Sequence, residues 1–371
     1  MNRNITAMTI ICLLLILCTA CANTPTAAVA QDQIKIGLIT PLSGRLASLG
    51  ETAQQAATLA VDEINSAGGI NGRPLKLIIE DSKGEMPAAV SAAKKLIEVD
   101  KVPVLLEGAS SGEAAAVAPI AQEAGVIYLS IFSTTESLVD AGDFVFKMRE
   151  GALPHAKAII DVMKDKSFSN ISILHLNDEY CTNAVSQFKK QANISEMDIV
   201  SIEKYSSEDT DVRTQIIKIK NSAPKGVYVC GFYMDLGLVF KQLYEANINK
   251  QLFSITTFEH PLVKENAGLD AIEGTIYSVS PLDCAKSKGF CERFDSRFGK
   301  KPDYRSAFAY DALHIVAKAL MQSSDPAKLK DVLLTITFEG ATGNTSFDDK
   351  GNAVKDVIVH QVKDGEWANY P

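Results

Sequence analysis

From residue 33 onward the sequence alternates short apolar runs with amphipathic stretches of helical period, and this alternation limits the fold more than any other feature. Residues 34–39 have the β-branched composition of a buried strand. The alanine-rich stretch that follows repeats its apolar residues at helical spacing. Because the same pattern recurs with short connections, it predicts parallel sheets covered by helices.

The pattern assigns most of the chain to strands and helices. Strands are expected at 34–39, 75–80, 102–106, 126–130, 171–176, 199–205 and 226–230. Helices are expected near 113–124, 153–164, 180–192, 210–222, 233–247 and 304–321. Near the end of the chain, 344–348 and 355–363 are expected to pair as a hairpin with its turn at 349–351.

Length and charge restrict the class of protein. A chain of 371 residues is too long for one ordinary domain and suits two. Its composition, 46% hydrophobic and 22% charged, is that of a globular protein with large cores. A formal charge of −8 argues against nucleic acid as a partner, since a phosphate-binding surface needs a basic excess.

The N-terminus has the pattern of an export signal. Arg3 precedes an apolar run at 10–17, which is far shorter than the roughly 20 residues of a membrane-spanning helix. The Cys-Thr-Ala-Cys sequence at 18–21 resembles a lipoprotein processing site. We therefore expect a signal peptide at 1–20, acylation of Cys21, a tether at 21–32 and an extracytoplasmic, lipid-anchored protein. Cleavage after Ala30, in a small-x-small sequence, is the alternative.

Four cysteines remain after this processing. Cys284 and Cys291 are close in sequence and are expected to form a disulfide in an oxidising compartment. Cys181 and Cys230 are expected to be buried thiols, although a bond between them stays open. Neither a histidine nor a second cysteine pair lies near 284–291, so no metal site is expected there.

Ligands of parallel sheets bind beyond the carboxyl ends of the strands. The segment 108–112 lies between a strand and a helix, where Ser110, Ser111 and Gly112 combine hydroxyls with the free N–H groups of a helix start, a suitable carboxylate cradle. Ordinary helix capping is the alternative interpretation.

The same segment also fits G-x-S-x-G, the nucleophile elbow of serine hydrolases. A hydrolase would use Ser110 with a histidine such as His260 or His314, but no His-Gly-Gly oxyanion loop is present. The sequence contains no P-loop, G-x-G-x-x-G or H-E-x-x-H pattern, so neither a cofactor nor a catalytic metal is expected.

A series of short motifs resembles the type I periplasmic solute-binding proteins, and most closely the leucine/isoleucine/valine-binding-like receptors of ABC transporters. The motifs are TPLSG (40–44), AVDEIN (60–65), GGINGR (68–73), ED (80–81), AAKKLI (92–97), VAPIA (117–121), NDEY (177–180) and IEG (272–274).

The resemblance implies an α/β fold of two doubly wound parallel-sheet lobes joined by three hinge crossovers. Lobe one would comprise 33–149 and 278–338, and lobe two 150–277 and 339–371. A chain of this kind is not an enzyme. It encloses a small molecule between its lobes and delivers it to an ABC permease with its ATPase.

The resemblance also implies binding residues. Ser133 would supply a backbone contact and Thr134 a hydroxyl, while Tyr180 and Tyr233 would line the pocket from lobe two. Thr257 stands where amino-acid receptors carry the acidic partner of the ligand's ammonium group. Glu259 lies two residues later and is a candidate replacement. Asp235 is another, and a ligand without an ammonium group is the third possibility.

The expected function is therefore that of a receptor for an amino acid or a related small carboxylate. A lipoprotein of the same fold that senses or regulates through protein contacts is the alternative.

Overall fold

The expected alternation of strands and helices is present in the computed structural model, which describes residues 32–282, 284 and 286–371. The signal peptide expected at 1–20, the acylated Cys21 and all but the last residue of the tether expected at 21–32 lie outside the described residues.

Fifteen strands are defined within the described residues. They are β1 Ile34–Thr40, β2 Leu75–Asp81, β3 Val104–Glu107, β4 Ile127–Ser130, β5 Val145–Lys147, β6 Asn170–Leu176, β7 Asp198–Tyr205, β8 Gly226–Cys230, β9 Gln251–Ser254, β10 Ile276–Val279, β11 Phe338–Gly340, β12 Gly343–Phe347, β13 Ala353–Val354, β14 Ile358–Lys363 and β15 Glu366–Asn369.

Twelve α-helices are defined in the same part of the chain. They are α1 Ala47–Ser66, α2 Met86–Lys94, α3 Ser111–Ala124, α4 Ala152–Asp165, α5 Glu179–Ile194, α6 Arg213–Asn221, α7 Tyr233–Glu245, α8 Pro261–Ala267, α9 Leu269–Ile272, α10 Lys288–Phe298, α11 Tyr304–Leu320 and α12 Pro326–Thr335. Helix α2 continues as a π-helical turn over Lys95–Val99.

Sheet I has the order β2-β1-β3-β4-β5, and all of its neighbouring strands are parallel. Its two faces bury separate sets of side chains. Leu38 and Leu106 pack with the alanine face of α1, whereas Ile39, Leu105 and Tyr128 pack with α2 and α3 on the opposite face. Burial on both faces explains why these strands read as continuous apolar runs.

Sheet II has the order β15-β14-β10-β9-β8-β6-β7. Five of its strands, from β10 to the edge strand β7, are parallel. The last two strands of the chain extend it, because β14 pairs antiparallel with β10 and β15 pairs antiparallel with β14.

The chain crosses between the two sheets three times, after β5, after β10 and after β13. The architecture is therefore α/β, with one parallel sheet, one mixed sheet whose larger part is parallel, and the three crossovers that the resemblance implied.

The segment 338–354 forms sheet III, in the order β11-β12-β13, and this sheet contacts sheet I. Lys147 of β5 bridges Asn352, and the ring of Phe347 packs edge-on against Phe146. Among the strands that follow residue 337, only β14 and β15 belong to sheet II.

The expected hairpin between 344–348 and 355–363 is wrong in its second strand. The turn at 349–351 connects β12 to the two-residue strand β13, while β14 pairs with β10 and β15. Burial explains the difference, since Phe347 and Ala353 are covered at sheet I and Val362 is covered at sheet II.

Two disulfides are present among the described residues. One joins Cys284 to Cys291, the pair expected from the sequence. The other joins Cys181 to Cys230, which were expected to be thiols. Parallel packing places the first turn of α5 beside the end of β8, so that their Cα atoms lie 5.7 Å apart, a separation that a disulfide spans. Within the described residues, no helix combines the length and apolar character needed to cross a membrane.

Candidate functional site

A small cavity of about 30 Å³ lies where the carboxyl ends of the strands of sheets I and II face each other. Residues that follow β3, β4, β5 and β8, or that begin helices, form most of its wall. The lining residues are Leu49, Ala109, Ser110, Ser111, Phe132, Arg149, Tyr180, Phe232, Tyr233, Thr257, Tyr304 and Arg305. Concave sites with aromatic walls and a few polar groups are typical of small-molecule binding.

Aromatic rings make up much of this wall. Tyr180 at the start of α5 stacks on Phe232 with ring centroids 5.4 Å apart. Tyr233, the first residue of α7, stacks on His260 at 4.0 Å. The sheet I side adds Phe132, and α11 begins with Tyr304. The body of a ligand would therefore lie against flat apolar surfaces.

The serine segment after β3 begins a helix, and Ser110 caps it. Its hydroxyl accepts a hydrogen bond from the backbone N–H of Glu113 (3.3 Å) and donates one to the Glu113 carboxylate (3.0 Å). Ser110 and Ser111 line the cavity, whereas the neighbouring Gly112 does not. Capping and cavity lining thus coexist at Ser110.

The structure places Ser133 and Thr134 behind this segment. The Ser133 hydroxyl donates to the Ser111 hydroxyl at 3.3 Å, and the Thr134 N–H points to the same oxygen at 3.4 Å. Both residues are fully buried and support Ser111 without lining the cavity. The Thr134 carbonyl accepts hydrogen bonds from Ala152 and Asn183, which ties this loop to α4 and α5.

A buried carboxyl lies beneath the serines. Burial, reinforced by the nearby charge of Glu113, raises the pKa of Glu107 to about 8. The hydroxyl of Ser130 donates to Glu107 at 2.8 Å. At neutral pH Glu107 therefore keeps its proton, and it adds no negative charge at this side of the cavity.

Arg149 is the main lining residue that sequence analysis missed. It follows β5 at the first crossover and is 3% exposed. Its Nε donates to Glu150 and to Ser280, both at 3.3 Å, and its guanidinium carbon lies 5.2 Å from the centre of the Tyr304 ring. Nη2 is buried and has no hydrogen-bond partner in the described part of the chain.

Glu150 holds Arg149 from behind. Its carboxylate also accepts hydrogen bonds from Ser280 and from His155 Nε2, the latter at 2.9 Å. Burial alone would raise the pKa of Glu150, but the hydrogen bond from His155 and the charge of Arg149 outweigh it and lower that pKa to about 2. Burial lowers the pKa of His155, so the ring is neutral and donates from Nε2. This ionised carboxylate joins the first crossover to the second.

A second arginine, Arg305, lines the cavity from α11. Its Nε donates to Asp303 at 2.6 Å, and its guanidinium lies 5.1 Å from the Tyr304 ring centre. Sequence reasoning passed over both arginines, because Arg149 stands between the charged residues Lys147 and Glu150 after a short strand and no pattern singles it out.

The three residues considered as partners of a ligand's ammonium group, Thr257, Glu259 and Asp235, occupy different positions relative to the cavity. Thr257 lines the cavity, and its hydroxyl donates to the Gly231 carbonyl at 2.7 Å. Glu259 is outside the cavity, where its carboxylate accepts hydrogen bonds from Tyr277 (2.7 Å) and His360 (2.8 Å). Asp235 forms an ion pair with Arg45 at 3.0 Å and does not line the cavity. No described lining residue is acidic.

Several buried polar atoms at the cavity have no protein partner of normal geometry among the described residues. They are Arg149 Nη2 and the hydroxyls of Tyr180 and Tyr233. Buried polar groups are almost always hydrogen-bonded, because leaving one unsatisfied is costly. Their convergence on one cavity makes it the candidate site for a polar ligand.

The hydrolase hypothesis finds no support in this geometry. Every side-chain hydrogen bond that Ser110 makes within the described residues goes to Glu113. The rings of His260 and His314 pack instead on Tyr233 and Tyr310. The described residues contain no cluster of three or more potential metal ligands.

Comparison with known proteins agrees with the fold. Residues 33–366 match the family model described as periplasmic binding protein. A relative in Pseudomonas aeruginosa, the leucine-, isoleucine-, valine-, threonine-, and alanine-binding protein, is 27% identical over 88% of each chain.

Two solved structures illustrate the range of similar proteins. The branched-chain amino acid transporter substrate-binding protein LivJ of Streptococcus pneumoniae, in complex with isoleucine, is 28% identical with a TM-score of 0.83, covering 90% of this chain and 97% of its own. An ABC-transporter solute-binding protein of R. palustris, in complex with benzoate, is 22% identical with a TM-score of 0.81, covering 91% and 95%. The chain belongs to the periplasmic binding protein family.

Proposed function

We propose that this protein is the extracytoplasmic solute-binding component of an ABC transporter and that it binds a small carboxylate in the cavity between sheets I and II. The observation that carries the proposal is the buried Arg149, which lines the cavity and whose Nη2 has no hydrogen-bond partner in the described chain. A charge-assisted hydrogen bond to a carboxylate would satisfy it. The N–H groups at the start of α3 and the serine hydroxyls add further donors for an anion.

The relatives support this class of function. Proteins of similar sequence and fold carry names that specify branched-chain amino acids, and others were solved with benzoates. Both groups of ligands contain a carboxylate. In this proposal sheets I and II, each with its helices, close on the ligand by rotation at the three crossovers, and the closed form engages a permease and its ATPase.

Ser110, Ser111, Tyr180, Tyr233 and Thr257 contact the ligand in this proposal, since all five line the cavity. Ser133, Thr134 and Gly112 do not contact the ligand in this proposal. They hold Ser110 and Ser111 in position. Glu259 has no contact with the ligand.

A thermal-shift screen of amino acids and small carboxylates, followed by calorimetry on the hits, tests the proposal. A ligand present at 100 times its dissociation constant stabilises the folded protein by about 2.7 kcal/mol. Arg149→Lys should weaken binding while the protein stays folded, because a lysine keeps the charge but loses the planar fork. Arg213→Lys, at an exposed arginine, is the matched control. If no solute shifts the melting temperature, a protein-contact role in sensing or regulation replaces the transport role.

The lipid anchor is a separate proposal. Mass spectrometry of the membrane-extracted protein should find acyl chains on Cys21, and no acylation should occur in a Cys21→Ser variant. A soluble product that begins at Gln31 would refute the anchor without affecting the ligand site.

A further inference from the structure

We infer that the ligand is an aromatic carboxylate without an ammonium group, and that Arg149 is its counter-charge. This inference rests on the proposed function and narrows it to one chemical class. Three features of the cavity carry it: the positive charge of its lining residues, the absence of an acidic side chain among the described lining residues, and its aromatic wall.

The charged residues that line the cavity are both arginines. Each is balanced from the side away from the cavity, Arg149 by Glu150 and Arg305 by Asp303. Arg149 Nη2 remains as a buried cationic donor without a partner in the described chain. A carboxylate placed there completes its hydrogen bonding and is attracted by both guanidinium groups, whose field is little screened in a buried site.

An ammonium group would meet the opposite environment. Carboxylates close to the cavity already have protein partners: Glu113 has Ser110, Glu150 has Arg149, His155 and Ser280, Asp303 has Arg305, Asp235 has Arg45, and Glu259 has Tyr277 and His360. At the position where an amino-acid receptor would carry an acid, Thr257 offers a neutral hydroxyl. Because a buried cation without a counter-charge is strongly disfavoured, the cavity selects against α-amino acids.

The aromatic residues of the cavity wall favour a ligand that carries an aromatic ring. Tyr180 and Phe232 form a stacked pair on the sheet II side, and Phe132 and Tyr304 line other parts of the same cavity. Aromatic rings gain stacking or edge-on contacts with such a wall beyond their hydrophobic burial. The buried hydroxyls of Tyr180 and Tyr233, which lack a partner of normal geometry among the described residues, add sites for a polar substituent on a ring.

Matched acids that differ only in the amino group test the inference. Calorimetric titration of the full-length protein in mild detergent compares 3-phenylpropanoate with L-phenylalanine, and 4-methylpentanoate with L-leucine. Each acid without an amino group should bind at least about tenfold more tightly than its amino acid. Of the two, 3-phenylpropanoate should bind more tightly than 4-methylpentanoate.

A substitution at Thr257 makes the test independent of ligand size. Thr257→Glu introduces the missing carboxylate, so the preference should shift by at least about tenfold toward L-phenylalanine. Thr257→Gln has the same length without the charge and should leave the preference for the acid unchanged. Circular dichroism and melting curves establish that both variants fold.

The possible failures are distinguishable. If an L-amino acid binds as tightly as its matched acid, the ammonium-free ligand is refuted while the carboxylate-binding function stands. If 4-methylpentanoate binds more tightly than 3-phenylpropanoate, the aromatic class is refuted. If neither acids nor amino acids bind, the proposed function fails, and this inference fails with it.

Discussion

Replacing the disulfide that joins α5 to β8 should destabilise the protein more than replacing the one that ties the first turn of α10 to the segment before it. The Cys181–Cys230 bond closes a loop with a sequence separation of 49, whereas Cys284–Cys291 closes one of 7. In the chain-entropy model these loops correspond to about 4 and about 2.4 kcal/mol of stabilisation. Cys181 and Cys230 are also fully buried, so alanine at both positions leaves a void that adds about 1 kcal/mol.

The assay is urea unfolding of two double variants, Cys181→Ala/Cys230→Ala and Cys284→Ala/Cys291→Ala, each compared with the unmodified protein. The first variant should lose about 2 to 3 kcal/mol more free energy of unfolding than the second. Equal losses, or a larger loss in the second variant, would refute the reasoning from loop length and burial.

The same pair of variants tests the link to the ligand site. Tyr180 and Phe232, which stack on each other in the cavity wall, lie one and two residues from Cys181 and Cys230. Removing the Cys181–Cys230 disulfide should weaken ligand binding, because the Tyr180 and Phe232 segments are then held together only by packing. Removing Cys284–Cys291 should leave the affinity unchanged, since neither cysteine lines the cavity.

Three further predictions concern buried charged residues. Because folded Glu107 keeps its proton up to about pH 8 while an unfolded glutamate releases it near 4.5, the free energy of unfolding should fall as pH rises between these values. Glu107→Gln should flatten that slope in pH-dependent melting, and an unchanged slope would exclude Glu107 as its source. Asp311→Ala should cost about 2 to 4 kcal/mol in urea unfolding, because this carboxylate accepts three hydrogen bonds from Ala341 and Thr342 in the turn of sheet III; a loss below about 1 kcal/mol would show that the turn forms without it. Arg149→Met should weaken carboxylate binding by about 1.5 to 3 kcal/mol in calorimetry, the range for hydrogen bonds to charged groups. Arg213→Met, at an exposed site, should have no effect on binding. Equal affinities in the two variants would show that Arg149 does not bind the ligand.

The fold could be predicted from the sequence because its determinants are local. Residues 36–39 are buried, as expected for an apolar strand covered on both faces, and the inward side chains of α11, such as Leu313 and Val316, follow helical spacing. The strand-end positions of Ser110 and Tyr180 followed from the same pattern, because a parallel sheet collects the carboxyl ends of its strands at one edge.

What sequence reasoning missed depends on contacts between distant segments. Strand β5 has only three residues, too few for a periodic pattern, so Arg149 after it was not recognised as a strand-end residue. The partners of Glu259, namely Tyr277 and His360, come from β10 and β14, and their pairing is set by the tertiary fold. The Cys181–Cys230 bond likewise depends on the approach of α5 to β8.

The most direct test of the central claim is a crystal structure of the protein with 3-phenylpropanoate bound. We predict that a carboxylate oxygen lies about 2.7 to 2.9 Å from Arg149 Nη2, the distance of a charge-assisted hydrogen bond, with the ring against the aromatic wall. A carboxylate bound away from Arg149, or a ligand found outside this cavity, would contradict the account.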